Sequence, residues 1–533
     1  MVKPNPIVEL LQKESTLIEF IEDRAREIPD HKAIIFQNQV ITYKELNQKA
    51  DVLATALIQM GVQVNDRIAV ILPNRPEFII LWMAASKIGA AIVGLNFRYQ
   101  QEEVIYMCGV SRPSVMVCMS QLANIDYGQF FLGIKDQLPS IKHYVFIGKT
   151  EFPGAIYFDD LIDVDINTEV VSSVSKQVKP DNDNFIIFTS GTTGKPKGAV
   201  LTQKSIIAML RPWARNLELK LGDKFLVPVP LNHVGGGTCC TLAILSNGAT
   251  VVLQELFTPQ EMLKLIQQEK VDVVGGVPTM FEMLFATYPN LNNADVPSVR
   301  LAVHGGSSAS PSVLQKMNEV FKCPLIACYG ATEVSGFISY TSPHDSFDKS
   351  STVGRVGEGS QLKIVDPITR QEVPRGEIGE VAVKSEMLFD RYLNLPEELA
   401  KPFDDGWFYM GDLGYLDEDG YLVIAGRTKE MYINGGFNVY PKEIEDKLMD
   451  HPAVAMAAVV GIPHDIKGEV GVAFVVTNSD SEVTEDELIE YCKARLANYK
   501  VPMRVFFESE LPRTTIGKVH KTLLVETAIQ KTT

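Results

Sequence analysis

Short, nearly unbroken apolar runs alternate with helix-length segments from about residue 30 to about residue 340. Ile68–Leu72, Phe185–Phe188, Val271–Val274, Leu301–Val303 and Leu325–Cys328 are such runs, and each leads within a few residues into Gly, Ser, Thr or Pro. Strands buried on both faces of a parallel sheet read this way, with helices as their crossovers. Ligands of such sheets bind beyond the carboxyl ends of the strands, so the polar loops after these runs are where chemistry is expected. Phe78 to Leu95 is the most hydrophobic stretch, interrupted by Lys87 and two glycines. It predicts a buried helix from Pro76 to about Lys87 followed by a strand, not a membrane span.

The pattern changes after about residue 350. Gln361–Val365, Glu380–Lys384 and Tyr421–Ala425 predict strands separated by turns such as Asp417-Glu-Asp-Gly420. Pro441 opens a helix at its first turn, where the missing N–H is not needed. Val454–Val460 and Val470–Val476 predict strands, and Thr484-x-x-Glu487 is a capping box before a helix to about Ala497. The last ~105 residues are enough to fold alone. The expected division is 1–427, a junction at 428–430, and 431–533.

Composition narrows the function classes. The 533 residues are 46% hydrophobic and 22% charged, as in an ordinary soluble protein, and the formal net charge is -16. An acidic surface repels nucleic acid and anionic membrane, so neither is expected as a partner. The seven cysteines form no CxxC pair, and adjacent Cys239 and Cys240 suit neither zinc nor a simple disulfide. They read as reduced residues of a cytoplasmic protein. Met1–Thr16 lacks the apolar core of a signal peptide, and the final Lys-Thr-Thr carries no peroxisomal or lipidation signal.

Phe188-Thr-Ser-Gly-Thr-Thr-Gly-Lys-Pro-Lys-Gly198 is the strongest chemical signal. It follows a predicted strand and packs four hydroxyls (Thr189, Ser190, Thr192, Thr193), three glycines and two lysines (Lys195, Lys197) into eleven residues. Glycines let backbone amides converge on an anion, hydroxyls donate to phosphate oxygens, and lysine neutralises charge. Pro196 after Lys195 excludes a Walker A loop.

This loop resembles the phosphate-binding signature of the adenylate-forming superfamily, which includes acyl-CoA synthetases, luciferases and peptide-synthetase adenylation domains. The resemblance runs along nearly the whole chain. Thr42-Tyr-Lys-Glu-Leu46, Pro73-Asn-Arg-Pro-Glu-Phe78, Tyr329-Gly-Ala-Thr-Glu333, Gly406-Trp-Phe-Tyr-Met-Gly-Asp412, Gly426-Arg-Thr-Lys-Glu430, Asn434-Gly-Gly-Phe-Asn438 and Leu511-Pro-Arg-Thr-Thr-Ile-Gly-Lys518 occur in the family order. It implies an α/β fold: a large N-terminal multi-sheet αβαβα domain binding AMP and the acyl group, and a small, mobile α+β C-terminal domain.

The resemblance also implies roles. Nucleotide contacts would come from Thr189, Ser190, Gly191, Thr192, Thr193, Gly194, Lys195 and Lys197; from Gly305, Gly306 and Ser307; and from Tyr329, Gly330, Ala331 and Thr332. Thr332 would donate to the α-phosphate, and Glu333 would be the oxygen ligand of Mg2+. Asp412 and Arg427 would hold the ribose. Lys518 would be the catalytic cation, stabilising the charge that develops on adenylation. The acyl group would contact His233, Val234, Gly235, Gly236, Met280, Ser335 and Gly336. Gly435, Gly436 and Phe437 would line the path of coenzyme A, and Lys429 would be the hinge about which the small domain rotates between two half-reactions. Three departures alter the pattern: Gly305-Gly-Ser-Ser-Ala309 for the usual Gly-Gly-Ala-Pro-Leu, Met410 for Thr, and Asn232 for an aromatic residue.

The implied reaction consumes ATP with Mg2+, a carboxylic acid and coenzyme A. Three small glycines, Gly235, Gly236 and Gly237, favour a medium- or long-chain fatty acid, with an aromatic acid such as benzoate or cinnamate as the alternative. A carrier-protein thiol or oxygen is the competing acceptor, and a non-catalytic nucleotide-binding relative is the competing class. No acid residue in Pro230–Thr238 would anchor an α-ammonium, which speaks against amino-acid activation. A homodimer is compatible with all of these readings.

Overall fold

A computed structural model describes residues 16–189, 196–393, 403–435, 437–478, 481–513 and 519–532. Ser190, Gly191, Thr192, Thr193, Gly194, Lys195, Gly436 and Lys518 lie outside the described residues. The chain divides into two compact units, one of residues 1–361 and 384–406, the other of residues 362–383 and 407–533.

The first unit is built on two large sheets, with nine and eight described strands. In the nine-stranded sheet Lys224–Val227, Thr250–Leu253, Val273–Gly276, Leu301–Gly305 and Leu325–Ala331 run parallel. In the eight-stranded sheet Arg67–Ile71, Ala91–Gly94, Val115–Met119, His143–Ile147 and Asp183–Thr189 do the same. Each parallel run ends in an antiparallel hairpin: Leu325–Ala331 turns back into Gly336–Tyr340, and Asp183–Thr189 pairs with Lys197–Thr202. Tyr329–Glu333 lies at the first of these reversals, and the paired strands of the second flank residues 190–195 in the chain.

The predicted helix is Pro76–Lys87, with Pro76 in its first turn, followed by strand Ala91–Gly94. Lys87 is 1% exposed and survives burial because its ammonium lies 2.7 Å from Asp51 and 3.2 Å from Glu22. No described helix is long and apolar enough to cross a membrane. All seven cysteines are free thiols.

In the second unit residues 379–383 pair with strand Trp407–Leu416, which pairs with Leu422–Arg427. A second sheet carries Tyr432–Asn434, Phe437–Val439, Val454–His464, Gly468–Thr477 and Arg504–Phe507. Alternate residues of its two long strands enter two cores, as the period of two in a strand demands. Val459, Ala473 and Val475 meet Ile444, Leu448 and Leu488 in one; Val460, Val472 and Phe474 meet Leu511, Leu524 and Ala528 in the other. The Thr484/Glu487 capping box forms. Its helix stops at Lys493 rather than near Ala497, because Ala497 and Val501, the latter preceding Pro502, are extended.

Candidate active site

The hairpin that carries the glycine-rich segment is closed by the register pair Thr189–Lys197. The Tyr106 hydroxyl donates to the carbonyl of Pro196, 3.1 Å away. Lys197 is buried, with its ammonium 5.3 Å from the centre of the Tyr392 ring. The short strand Arg391–Tyr392 pairs with residues 199 and 200, and Arg391 forks onto Asp183 at 3.0 and 2.9 Å. Tyr392 then donates its hydroxyl to the Glu333 carboxylate at 2.7 Å. Three distant segments thus bring Lys197, Tyr392 and Glu333 together. Tyr392 is the member that sequence reasoning missed, since a lone tyrosine after an arginine carries no local signal.

Glu333 stands in the 3-10 turn Thr332–Val334, and Thr332 is buried. Among the described residues no group of three or more His, Cys, Asp or Glu could hold a metal ion. Glu333 offers one carboxylate, with one oxygen already on Tyr392. A Mg2+ that arrives on phosphates and keeps waters needs only one or two carboxylates. The Glu333 carboxylate therefore fits a Mg2+ that arrives on phosphates.

The turn is fixed by close backbone approach. A Cβ on Gly330 would sit 1.9 Å from the carbonyl oxygen of Gly336, so only glycine fits. Ser335 takes a left-handed φ of 58°. Its buried hydroxyl lies 2.8 Å from the carbonyl of Met387 and 3.0 Å from the Ser205 hydroxyl, and its own carbonyl accepts from Thr238 at 2.8 Å. The Ser335 side chain therefore holds the hairpin. Tyr329 is buried at the end of its strand. Next to that strand, Gly305 pairs with Cys328, Gly306 is left-handed at φ 80°, and Ser307 is exposed. His304, just before them, is 5% exposed with no partner for Nε2, and burial pushes its pKa down to about 4. It is neutral at physiological pH.

The Pro230–Thr238 segment is tied down by Asn74 of the early landmark. Its amide donates to the carbonyl of Val229 at 2.9 Å and accepts from the backbone of Leu231 at 2.9 Å. Gly235–Leu242 then forms a π-helix, with Cys239 N–H bonded to Val234 at 2.9 Å. The wider turn leaves the carbonyl of Cys239 to the Trp213 indole, at 3.0 Å. This helix corrects the volume argument. A Cβ on Gly236 would lie 2.2 Å from the carbonyl oxygen of Pro230, and one on Gly237 would lie 2.7 Å from that of Leu231. These two glycines are required by their own backbone. Gly235 alone of the three faces open space. The helix meets the hairpin through Thr238 and Ser335, and a Cβ on Gly336 would be 2.5 Å from Cys239. Burial raises the Cys239 thiol to about 12, so it is no nucleophile. His233 is half-buried, Val234 buried, and Met280 lies in the first turn of helix Pro278–Thr287.

The second unit carries the other candidates. Asp412 and Arg427 are a cross-strand register pair, and their side chains meet at 3.0 Å. The carboxylate is buried and the guanidinium exposed. Lys429 lies in the turn after Arg427, where Glu430 N–H returns to the carbonyl of Arg427 at 3.0 Å. Gly435 is left-handed, and the exposed ring of Phe437 stacks on Tyr499 at 4.6 Å.

Comparison with known proteins decides the family. Residues 21–393 match the model of the AMP-binding enzymes, and residues 443–518 match that of the AMP-binding enzyme C-terminal domain. The chain belongs to the AMP-binding enzymes. It is 33% identical to a putative acyl-CoA synthetase, YngI, of Bacillus subtilis, with 97% of each chain covered. It is 32% identical to the long-chain-fatty-acid–CoA ligase FadD13 of Mycobacterium tuberculosis, over 91% of this chain and 93% of the other. The crystal structure of ATP-bound MatB from Rhodopseudomonas palustris superposes with a TM-score of 0.84 at 27% identity, covering 96% of this chain and 98% of that one. The adenylate-forming resemblance and the mixed α/β architecture expected from the motifs are both borne out for this AMP-binding enzyme.

Proposed function

We propose that this enzyme activates a medium- or long-chain fatty acid as its acyl-adenylate and passes the acyl group to coenzyme A. The convergence of Lys197, Tyr392 and Glu333 carries the reading, because it brings a cation and a hard oxygen donor together next to the glycine-rich segment in the chain, a pairing that suits phosphates. A carboxylate is a poor acyl donor, since its leaving group would be oxide. Its oxygen attacks the α-phosphorus of ATP, the bond to the bridging oxygen breaks, and pyrophosphate leaves. Positioning and electrostatics supply most of the acceleration. The glycine-rich segment and Lys197 hold the phosphates, Thr332 donates to the α-phosphate, and Asp412 with Arg427 receives the ribose. Mg2+ on the nucleotide would neutralise charge between phosphates, with Glu333 as its protein ligand. Lys518 stabilises the forming adenylate. The thiol of coenzyme A then attacks the acyl carbon and AMP leaves. The turn at 428–430, with Lys429 as hinge, would switch the small domain between these steps, and Gly435, Gly436 and Phe437 would guide the thiol.

For the acid, Gly235 faces open space at the start of a mostly apolar helix. FadD13 is named for long-chain fatty acids, which points the same way. The seven free thiols suit a reducing cytoplasm. A panel of aliphatic acids of graded length and of aromatic acids, assayed for pyrophosphate release with and without coenzyme A, tests the proposal. Release that is fastest with long aliphatic acids, together with coenzyme A consumption, supports it. Preference for benzoates would transfer the assignment to an aromatic acid, and coenzyme A left unconsumed would transfer the acceptor to a carrier thiol.

A further inference from the structure

One partly buried charge cluster of the second unit takes no part in the chemistry described above. Lys521 opens helix Lys521–Thr532, and its ammonium lies 2.6 Å from Glu430 and 2.7 Å from Glu445. Glu445 is 7% exposed and also accepts the backbone N–H of Val459 at 2.8 Å. Burial disfavours the ammonium, but Glu445 and Glu430 together outweigh it and hold its pKa above the usual lysine range. The helix does not need this cluster, since Leu524 and Ala528 already seat it in a core. A cation in the first helical turn is opposed by the helix dipole, so the two carboxylates are what draw it there.

The three residues join three otherwise separate motifs. Glu430 ends Gly426–Glu430, one residue after Lys429. Glu445 belongs to helix Pro441–Met449. Lys521 follows Lys518 by three residues, roughly 10 Å of chain at most. The ends of the 514–518 segment are closed by the antiparallel bridge Arg513–Val519 and by His520 N–H to the carbonyl of Pro512 at 2.7 Å. Lys521 therefore ties the root of the segment bearing Lys518 to the turn bearing Lys429.

We propose that Glu430, Lys521 and Glu445 form a positioning brace that fixes the start of helix Lys521–Thr532, three residues beyond Lys518 in the chain, against the turn after Arg427. This rests on the reading of Lys518 as the adenylation cation. Pairing of Lys521 with two part-buried carboxylates gives the brace its stiffness, because a partner removed leaves a charge poorly solvated. Losing it loosens the described chain to which Lys518 is joined without removing the lysine, and a misplacement of about 1 Å at a reacting group is worth up to about a hundredfold in rate.

The test uses the full chain, with pyrophosphate release and thiolysis of synthetic acyl-AMP measured separately, beside Lys518→Ala. Lys521→Met is expected to lower the kcat of adenylation about tenfold or more, with KM for ATP and the thiolysis rate within about threefold of wild type. Lys521→Arg should restore most of the rate, and Glu430→Gln should shift it in the same direction by less. Wild-type adenylation by folded Lys521→Met, or equal loss in both half-reactions, overturns the brace. If Lys521→Met does not fold, Glu430→Gln, which keeps the Lys521–Glu445 pair, decides on the same two assays. Intact adenylation by Lys518→Ala would instead overturn the reading beneath it, whatever the Lys521 variants do.

Discussion

The two units hold their functional groups by different physics. In the first, backbone meets backbone: Gly330, Gly236 and Gly237 have no room for a Cβ, and Ser335 is locked in a left-handed turn. In the second, charge does the holding, through Asp412–Arg427 at 3.0 Å and Lys521 between two carboxylates. Steric positioning is unforgiving, whereas ionic positioning tolerates conservative exchange. Substitutions in the first unit should therefore act mainly on folding, and those in the second on rate.

The sharpest separation is expected from Lys518→Ala. If Lys518 is the proposed adenylation cation, its removal should slow adenylation by about a hundredfold or more and leave thiolysis of supplied acyl-AMP largely intact. Parallel loss in both assays would remove Lys518 from that role. Gly330→Ala is the steric counterpart. With its new methyl 1.9 Å from a carbonyl oxygen, the hairpin must shift, and thermal unfolding should show a loss of about 3 kcal/mol or more. An unchanged melting temperature would mean that the reversal yields without strain.

The strands and the buried helix were legible, because runs such as Phe185–Phe188 and Leu325–Cys328 are apolar without interruption and helix Pro76–Lys87 carries its proline at the start. The capping box at Thr484 was equally direct. The π-helix at Gly235–Leu242 was not, since three consecutive glycines disfavour helix and read as open volume. Only the carbonyls of Pro230 and Leu231, brought close by the anchor at Asn74, reveal that two of them are there to let the chain pass. Tyr392 and Lys521 escaped for another reason: their partners lie 59 and 91 residues away, beyond any local pattern.

His304 supplies a pH test of the sterically held unit. Its folded pKa is pushed down to about 4, against about 6.5 in an unfolded chain, so folding favours the neutral ring. Stability from this site is complete above pH 6.5 and falls as the pH drops toward 4, by roughly 3 kcal/mol in all. His304→Ala should flatten that part of the stability profile between pH 7 and pH 4.5, measured by denaturant unfolding. The same slope in the variant would assign it to other groups. In the ionically held unit, Asp412→Asn keeps the shape but weakens the bond to Arg427 and the contact proposed with the ribose. Nucleotide affinity by calorimetry should fall about tenfold, with melting changed by only a few degrees.

The smallest effect should come from Tyr392→Phe, and it tests whether the comparison holds inside the first unit itself. The phenol is half-buried and its only described role toward Glu333 is one hydrogen bond at 2.7 Å. Deleting it leaves the carboxylate free to rotate, without opening a cavity, at about 1 kcal/mol. ATP affinity should weaken by about fivefold when Mg2+ is present and stay unchanged when Mg2+ is withheld, because in the proposed arrangement Glu333 would meet the nucleotide only through the metal. Equal weakening in both titrations would show that Tyr392 acts on the phosphates directly, through the ring that lies beneath Lys197, and that this corner of the first unit is held by charge as the second unit is.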